Sequence, residues 1–391
     1  CNCGTKIKQV SLRCSPMIRY VEKQFKTILN TYRFIDSWFW CRYSINPYNG
    51  CEFACNYCDS RSHKYHLHPE FDQIVYVKSN AGPMLDARLS RARTLLPDVV
   101  AIGGTCDAYQ PAEEKHRNTR ACLEVLLKHG YPVILSTKST LAPRDLDLFA
   151  QIAETSWLTI AATITTFDED LARFLEPRAA PPADRLVMIK ELKAACPSIQ
   201  VGVNFMPIVP FLCDAEANLR EVTSRAKGAG ADFILFAGGM TLRDKQAIWF
   251  FRRLKAEYPH LVVEYEKLYD ATCSEEAGYT GRYAPAPGYV KAISRIMLDL
   301  CKEHGLAFRI TRYLPDDFRR LNYKIAQKLL DEAYVRQALG KPWKDLFWAG
   351  QNINNLKESI AEISARGKPC TIRNVGPSIE STLLEMLREE R

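Results

Sequence analysis

NPYNGCEFACNYCDSR, residues 46–61, sets Cys51, Cys55 and Cys58 on one short loop in the pattern C-x3-C-x2-C. A structural zinc ion takes four ligands, usually as two separated pairs, whereas a cubane iron–sulfur cluster is held at three corners and keeps one iron open for chemistry. The competing reading completes a Cys3 zinc knuckle with His63, His66 or His68.

The residues around the loop read as repeated β/α units. YSINPY (43–48) leads into it, and DVVAIGG (98–104), YPVILSTKS (131–139), WLTIAATITT (157–166), QVGVNFMPIVP (200–210) and ADFILFAGG (231–239) are continuous apolar runs of buried-strand length. Between them lie segments with helical periodicity, such as 116–130, 143–156, 183–196, 216–230 and 244–258. Strands buried on both faces and separated by helices imply a parallel sheet. About six such units fall short of a closed eightfold barrel, so the expected fold is α/β, an open partial (β/α)6 barrel of the TIM type. Ligands of such folds gather at the C-terminal ends of the strands. There lie the cysteine loop, Gly103, Gly104, Thr105, Cys106, Asp107, Ser136, Thr137, Lys138 and Asn204.

Composition bounds the rest. The 391 residues are 47% hydrophobic, enough for a large core, and no apolar run reaches membrane-spanning length. Fourteen cysteines in a chain of this size read as metal ligands or buried thiols, and so imply a reducing, cytoplasmic setting. Cys1 rather than Met at the first position points to an upstream segment outside the given sequence. The net charge is +8, and the first fifty residues carry eight Lys or Arg against Glu22 and Asp36. Interleaved with Tyr20, Phe25, Tyr32, Phe34, Trp38 and Trp40, these cations form either a strip for a phosphate backbone and stacked bases or a solvated face over an aromatic stripe. The expected division is a basic N-terminal segment (1–40), a barrel core (41–315) and a helical C-terminal region (316–391) that covers the open side of the barrel.

The C-x3-C-x2-C loop after a first strand, with Tyr57 before its last cysteine, resembles the radical S-adenosylmethionine (SAM) enzymes over roughly residues 40–315. GGTCDAYQPAEEKHRNTRACLEVLL (103–127), LSTKS (135–139) and ITTFDEDLARFLEPRAAPPADRL (164–186) are similar to the spore photoproduct lyase-like branch. The resemblance implies a [4Fe-4S] cluster on Cys51, Cys55 and Cys58, with SAM chelating the fourth iron and a reductant such as flavodoxin or ferredoxin supplying the electron that frees a 5′-deoxyadenosyl radical. By similarity Gly103 and Gly104 approach the methionyl ammonium, Lys138 pairs with the methionyl carboxylate, and Thr163 and Thr165 reach the ribose. Tyr57, Thr105, Ser136, Asn204 and Arg178 complete the expected cofactor-binding set. Thr105 departs from the acidic residue common in the family, and Asp59 from a tyrosine of the lyase. Glu176, Arg178 and Arg185 read equally as a family feature or an ion-pair network. Cys106 is the candidate hydrogen donor, with a small core residue as the alternative.

Two motifs remain. Cys1, Cys3 and Cys14, with Cys41 or Cys370 as a fourth ligand, have the makings of a second Fe-S cluster or a zinc site. The segment 367–387, with the turn Asn374-Val375-Gly376-Pro377, resembles a helix-hairpin-helix unit that contacts a DNA phosphate through backbone N–H groups. These features favour a radical enzyme acting on nucleic acid, in DNA lesion repair or base modification. The alternatives are modification of a peptide or small metabolite with an auxiliary cluster, and a non-catalytic metal-dependent binding module. The oligomeric state is not legible.

Overall fold

The computed structural model describes residues 17–367 and 371–389. Its centre is a seven-stranded sheet in which six parallel strands, Cys41–Ile45, Val100–Ile102, Val133–Thr137, Leu158–Thr163, Gln200–Phe205 and Phe233–Phe236, lie side by side in chain order. Each is followed by a helix: Ala81–Ser90, Asn118–Lys128, Leu146–Thr155, Pro182–Ala195, Glu216–Gly228 and Asp244–Glu257. All six residues of Leu158–Thr163 are buried, because helices pack outside the sheet and a second apolar layer fills its concave face. This is the expected partial (β/α)6 barrel.

The sheet begins earlier than the sequence reading placed it. Leu29–Asp36 pairs antiparallel with Cys41–Ile45 as an edge strand, and Arg19–Lys23 pairs in parallel with Ile74–Lys78, which also pairs with Tyr48–Asn49. These strands escaped notice because edge strands keep polar outer faces: only Ile35 of Leu29–Asp36 is buried. The aromatic residues of this segment find partners inside the chain. Tyr20 donates to Glu52, Phe34 meets Trp348 edge to face, Trp38 meets Tyr334, and Trp40 is fully buried with its indole N–H on the Ile310 carbonyl at 2.8 Å.

The C-terminal region ties together the two edges of the open sheet. Gln351, in the helix Lys344–Asn354, donates to the Ile35 carbonyl at 3.0 Å on one edge. Tyr334, in the helix Arg319–Ala338, donates to the Phe236 carbonyl at 2.9 Å on the other. Ala307 and Ile310 lie between, the first accepting from Ile234 N–H and the second from Trp40. Helices Ile360–Ala365 and Pro377–Glu389 pack on this region around Ile325, Leu329, Ile363 and Leu383. No helix among the described residues is long and apolar enough to cross a membrane.

Candidate active site

The cysteine loop is held from three sides. Gly50 has φ +113°, and a Cβ there would sit 2.5 Å from the Ile74 carbonyl, so only glycine lets the loop leave its strand. Gln110 donates to the Gly50 carbonyl at 3.1 Å and accepts the Glu52 N–H at 3.0 Å, while the Glu52 carboxylate accepts the Ala112 N–H at 2.7 Å. Arg61 pairs with Asp72 at 2.7 Å and reaches the Ala54 and Cys55 carbonyls. The YQPAEE stretch therefore serves the site as scaffold. Its Glu113 is fully buried, accepting from Tyr48, Thr119 and Arg144, beside Asp145 with Arg120 and Tyr109.

A cavity of ≈ 480 Å³ opens at the C-terminal ends of the strands, within the usual range for small-molecule sites. Of the expected residues, Cys55, Tyr57, Cys58, Gly103, Gly104, Ser136, Lys138, Thr163 and Asn204 line it. Strand alternation explains the selection in 136–138. Ser136 and Lys138 face the cavity, while Thr137 turns away to donate to Asp107 at 2.7 Å. Asp107 also accepts the N–H of Lys138 and of Tyr109, locking the turn after Ile102 to the next strand end.

Burial pushes the Cys55 thiol up to about 12, and burial with the neighbouring Asp107 carries Cys51 well above its ordinary value. Such thiols ionise only against a bound cation. Burial works to lower Lys138, but Cys55, Glu176 and Asp107 outweigh it and hold the ammonium above its usual value. Tyr57 donates to Glu176, whose second oxygen meets Arg185 at 2.5 Å, and Arg185 also reaches the Thr163 carbonyl. Burial and then Glu176 push the Tyr57 hydroxyl far up, so it remains a donor.

The donor set fits the expected cluster and SAM on three observations. Cys51, Cys55 and Cys58 are free thiols grouped on one loop. Asn204 donates to Ser136 at 2.8 Å, yet its buried side-chain carbonyl has no partner. A Cβ on Gly104, which lines the cavity, would meet nothing within 4 Å. Among the described residues no three His, Cys, Asp or Glu side chains are grouped to hold a single metal ion.

Five expected residues do not line the cavity. Cys51 is absent from the cavity lining and packs on Tyr48 and Cys106, with Cys55 and Cys58 near enough to act on its thiol. Cys106 is 6% exposed, and its thiol lies 3.5 Å from the Tyr48 carbonyl in a small core with Val75, Val77 and Ala112, so it is placed as a packing residue rather than at the cavity wall. Thr105 is bound through its main chain, donating to Asn46 and accepting from Ser60. Thr165 is buried against Cys213. Arg178 clamps the Glu52 and Asp72 carbonyls, supporting the cysteine loop from behind. Cys41 belongs to the apolar core with Ile35, Val99 and Ile310, while Cys1, Cys3, Cys14 and Cys370 lie outside the described residues. Part of the cavity lining was not foreseen. Phe39, Met206, Met240, Thr241 and Tyr283 also line it, and no motif in the sequence marks them as site residues. Asp59, noted only as a departure, lines the cavity and accepts from Arg243 and Tyr65.

Comparison with known proteins gives the class of protein to which this site belongs. The Radical SAM superfamily model matches residues 45–222. An uncharacterized protein of Mycobacterium tuberculosis (strain ATCC 25618 / H37Rv) is 31% identical over 270 residues, 68% of this chain and 75% of that protein. An uncharacterized protein of Methanocaldococcus jannaschii is 30% identical over 176 residues, 45% of this chain and 63% of its own length. A solved structure of spore photoproduct lyase complexed with dinucleoside spore photoproduct is similar in fold, with TM-score 0.54 and 15% identity over 73% of this chain and 79% of that one. A variant of the same lyase gives 0.55 over the same shares. The chain belongs to the radical SAM superfamily and is a radical SAM enzyme.

Proposed function

We propose that this enzyme abstracts hydrogen from a nucleic acid, in lesion repair or base modification. The observation that carries the reading is an annex of ≈ 260 Å³ that continues the cofactor cavity past Ala237, Gly239, Met240, Thr241 and Tyr283. Its walls include Trp38, Tyr283 and Tyr334, with the Gln337 amide and the Thr241 and Ser294 hydroxyls among them, a mainly apolar slot with a few hydrogen-bonding groups that suits a planar base. Two further features support it. The turn at Asn374 and Gly376 is exposed at the start of helix Pro377–Glu389, and a helix start of this kind suits a phosphate. A protein of similar fold has been solved with a dinucleoside photoproduct.

When bound, the cluster and SAM together supply reductive cleavage of the sulfonium to a carbon radical able to take hydrogen. The chain's own residues prepare the place. Cys51, Cys55 and Cys58 would hold three irons. The Lys138 ammonium would meet the methionyl carboxylate, the unpartnered Asn204 carbonyl would accept from the cofactor, and the open space at Gly104 would admit its ammonium end. Phe39, Met206 and Met240 give the cavity an apolar stretch of wall beside these polar groups.

The test is anaerobic reconstitution with iron and sulfide, then dithionite, SAM and an oligonucleotide perdeuterated on its bases and sugars. Deuterium should appear in 5′-deoxyadenosine. Label transferred from a deuterated peptide or metabolite pool but never from DNA or RNA would overturn the nucleic-acid reading.

A further inference from the structure

No charged side chain among the described residues lines the annex beside the cofactor cavity. A phosphate, carboxylate or ammonium group entering it would lose its hydration with no opposite charge in exchange. The group that fits there is neutral. It also carries polar atoms, because several polar groups of the lining lack partners. Ser294, in the helix Pro287–His304, is 2% exposed, and its hydroxyl makes no hydrogen bond to a described residue. The Thr241 hydroxyl and the Gln337 amide are equally free. Tyr334, whose hydroxyl is engaged by the Phe236 carbonyl at 2.9 Å, offers only its ring. Buried polar groups are normally paired, so a hydroxyl as dry as that of Ser294 is satisfied by what enters the slot.

The backbone comes close to this hydroxyl. A Cβ on Gly238 would lie 2.7 Å from Ser294 Oγ, and one on Gly239, at φ +149°, would lie 2.5 Å from Pro285 Cγ. Gly239 lines both hollows, which puts Ser294 beside the passage between annex and cofactor cavity. Outside the slot the charge changes. Lys291 follows the lining residue Val290, and its Cδ stands 4.0 Å from where a Gly340 Cβ would lie, with Lys341 next in the chain. Both lysines are exposed and form no ion pair with a described residue, whereas the neighbouring Arg336 is paired with Glu332 at 2.6 Å.

We propose that the annex reads one unstacked base of a nucleic-acid strand, that Ser294 determines which base is accepted, and that Lys291 and Lys341 hold the flanking phosphates. A base is flat, uncharged and polar only at its edge, which matches a slot walled by Trp38 and Tyr334 with free hydroxyl and amide groups. Its phosphates match the exposed ammonium groups outside. A base stacked in a duplex cannot enter, so the strand is single or the base is turned out of it. The assignment rests on the nucleic-acid reading above and adds to it the part of the strand that is read and the residues that read it.

The experiment measures binding by fluorescence anisotropy on the full chain, reconstituted with iron and sulfide and given SAM but no reductant. The probes are short abasic strands carrying one central A, C, G, T or U, and the same strand with no base. The wild-type protein should bind at least one of the former about tenfold more tightly than the strand with no base. Ser294→Ala should weaken that strand about three- to tenfold and narrow the spread among bases, leaving the strand with no base unaffected. Lys291→Glu/Lys341→Glu should weaken every strand alike and lower the salt dependence of binding. Equal wild-type affinity with and without a base overturns the proposal, as does an unaltered ranking of bases in Ser294→Ala. If Ser294→Ala loses the strand with no base as well, its fold is damaged, and Gln337→Ala at an exposed position decides: an unaltered ranking there overturns the proposal. Failure of every strand to bind, with free nucleosides still held in a manner that depends on Ser294, strikes the nucleic-acid reading but not the base slot. Failure of both strikes both.

Discussion

Glu176 and Arg185 form an ion pair at 2.5 Å with each side chain 1% exposed, and the pair joins the cysteine loop, through Tyr57, to the Thr163 carbonyl at a strand end. Removing one partner strands the other charge in a dry interior. Glu176→Gln should therefore cost about 3–5 kcal/mol of stability in urea unfolding. The double variant Glu176→Gln/Arg185→Met should cost less than this single change, because it buries no unpaired cation. Equal losses in the two would show that the pair is not coupled.

Iron content reports on the cysteine loop directly. Each of Cys51→Ala, Cys55→Ala and Cys58→Ala should lose about four irons per chain relative to the parent after reconstitution, with no 5′-deoxyadenosine formed. Full iron and activity in any of them would contradict the assignment of that cysteine.

Gly50→Ala acts on the same loop without touching a ligand. Its Cβ would meet backbone on two sides, 2.5 Å from Ile74 O and 2.9 Å from Phe71 O, at a φ of +113°. The loop must shift, so iron retention after gel filtration should fall several-fold while far-ultraviolet circular dichroism stays unchanged. Retention equal to the parent would show that the loop tolerates the displacement.

Burial raises the Cys106 thiol from its ordinary 9.0 to about 12. The unfolded chain can ionise this group above pH 9 while the folded one cannot, so the stability is present in full below pH 9 and is lost as pH rises toward 12, by about 1.4 kcal/mol per pH unit. Cys106→Ala should flatten that alkaline decline and leave SAM cleavage and the product distribution unaltered. Diversion of the substrate to by-products in this variant would return Cys106 to the role of hydrogen donor.

Parallel strands buried on both faces leave unbroken apolar runs, and therefore all six barrel strands and five of the six helices after them were legible in the chain, while the helix Ala81–Ser90 was not read. The C-x3-C-x2-C loop was legible too, because its three thiols stand at close spacing in the chain itself. Beyond these local signals the tertiary structure decided the outcome. Which of Ser136, Thr137 and Lys138 faces the cavity depends on strand register, and Cys106 turns toward Tyr48 although it lies two residues from a cavity glycine. Leu29–Asp36 became part of the sheet because its backbone found an unpaired edge, which no side-chain pattern announces. Phe39 and Tyr283 line one site from positions far apart in sequence, as packing at long range leaves no local periodicity to read. The chemistry of a ligand loop is local and so is written in sequence, whereas the walls that enclose it are set by how distant segments share one core.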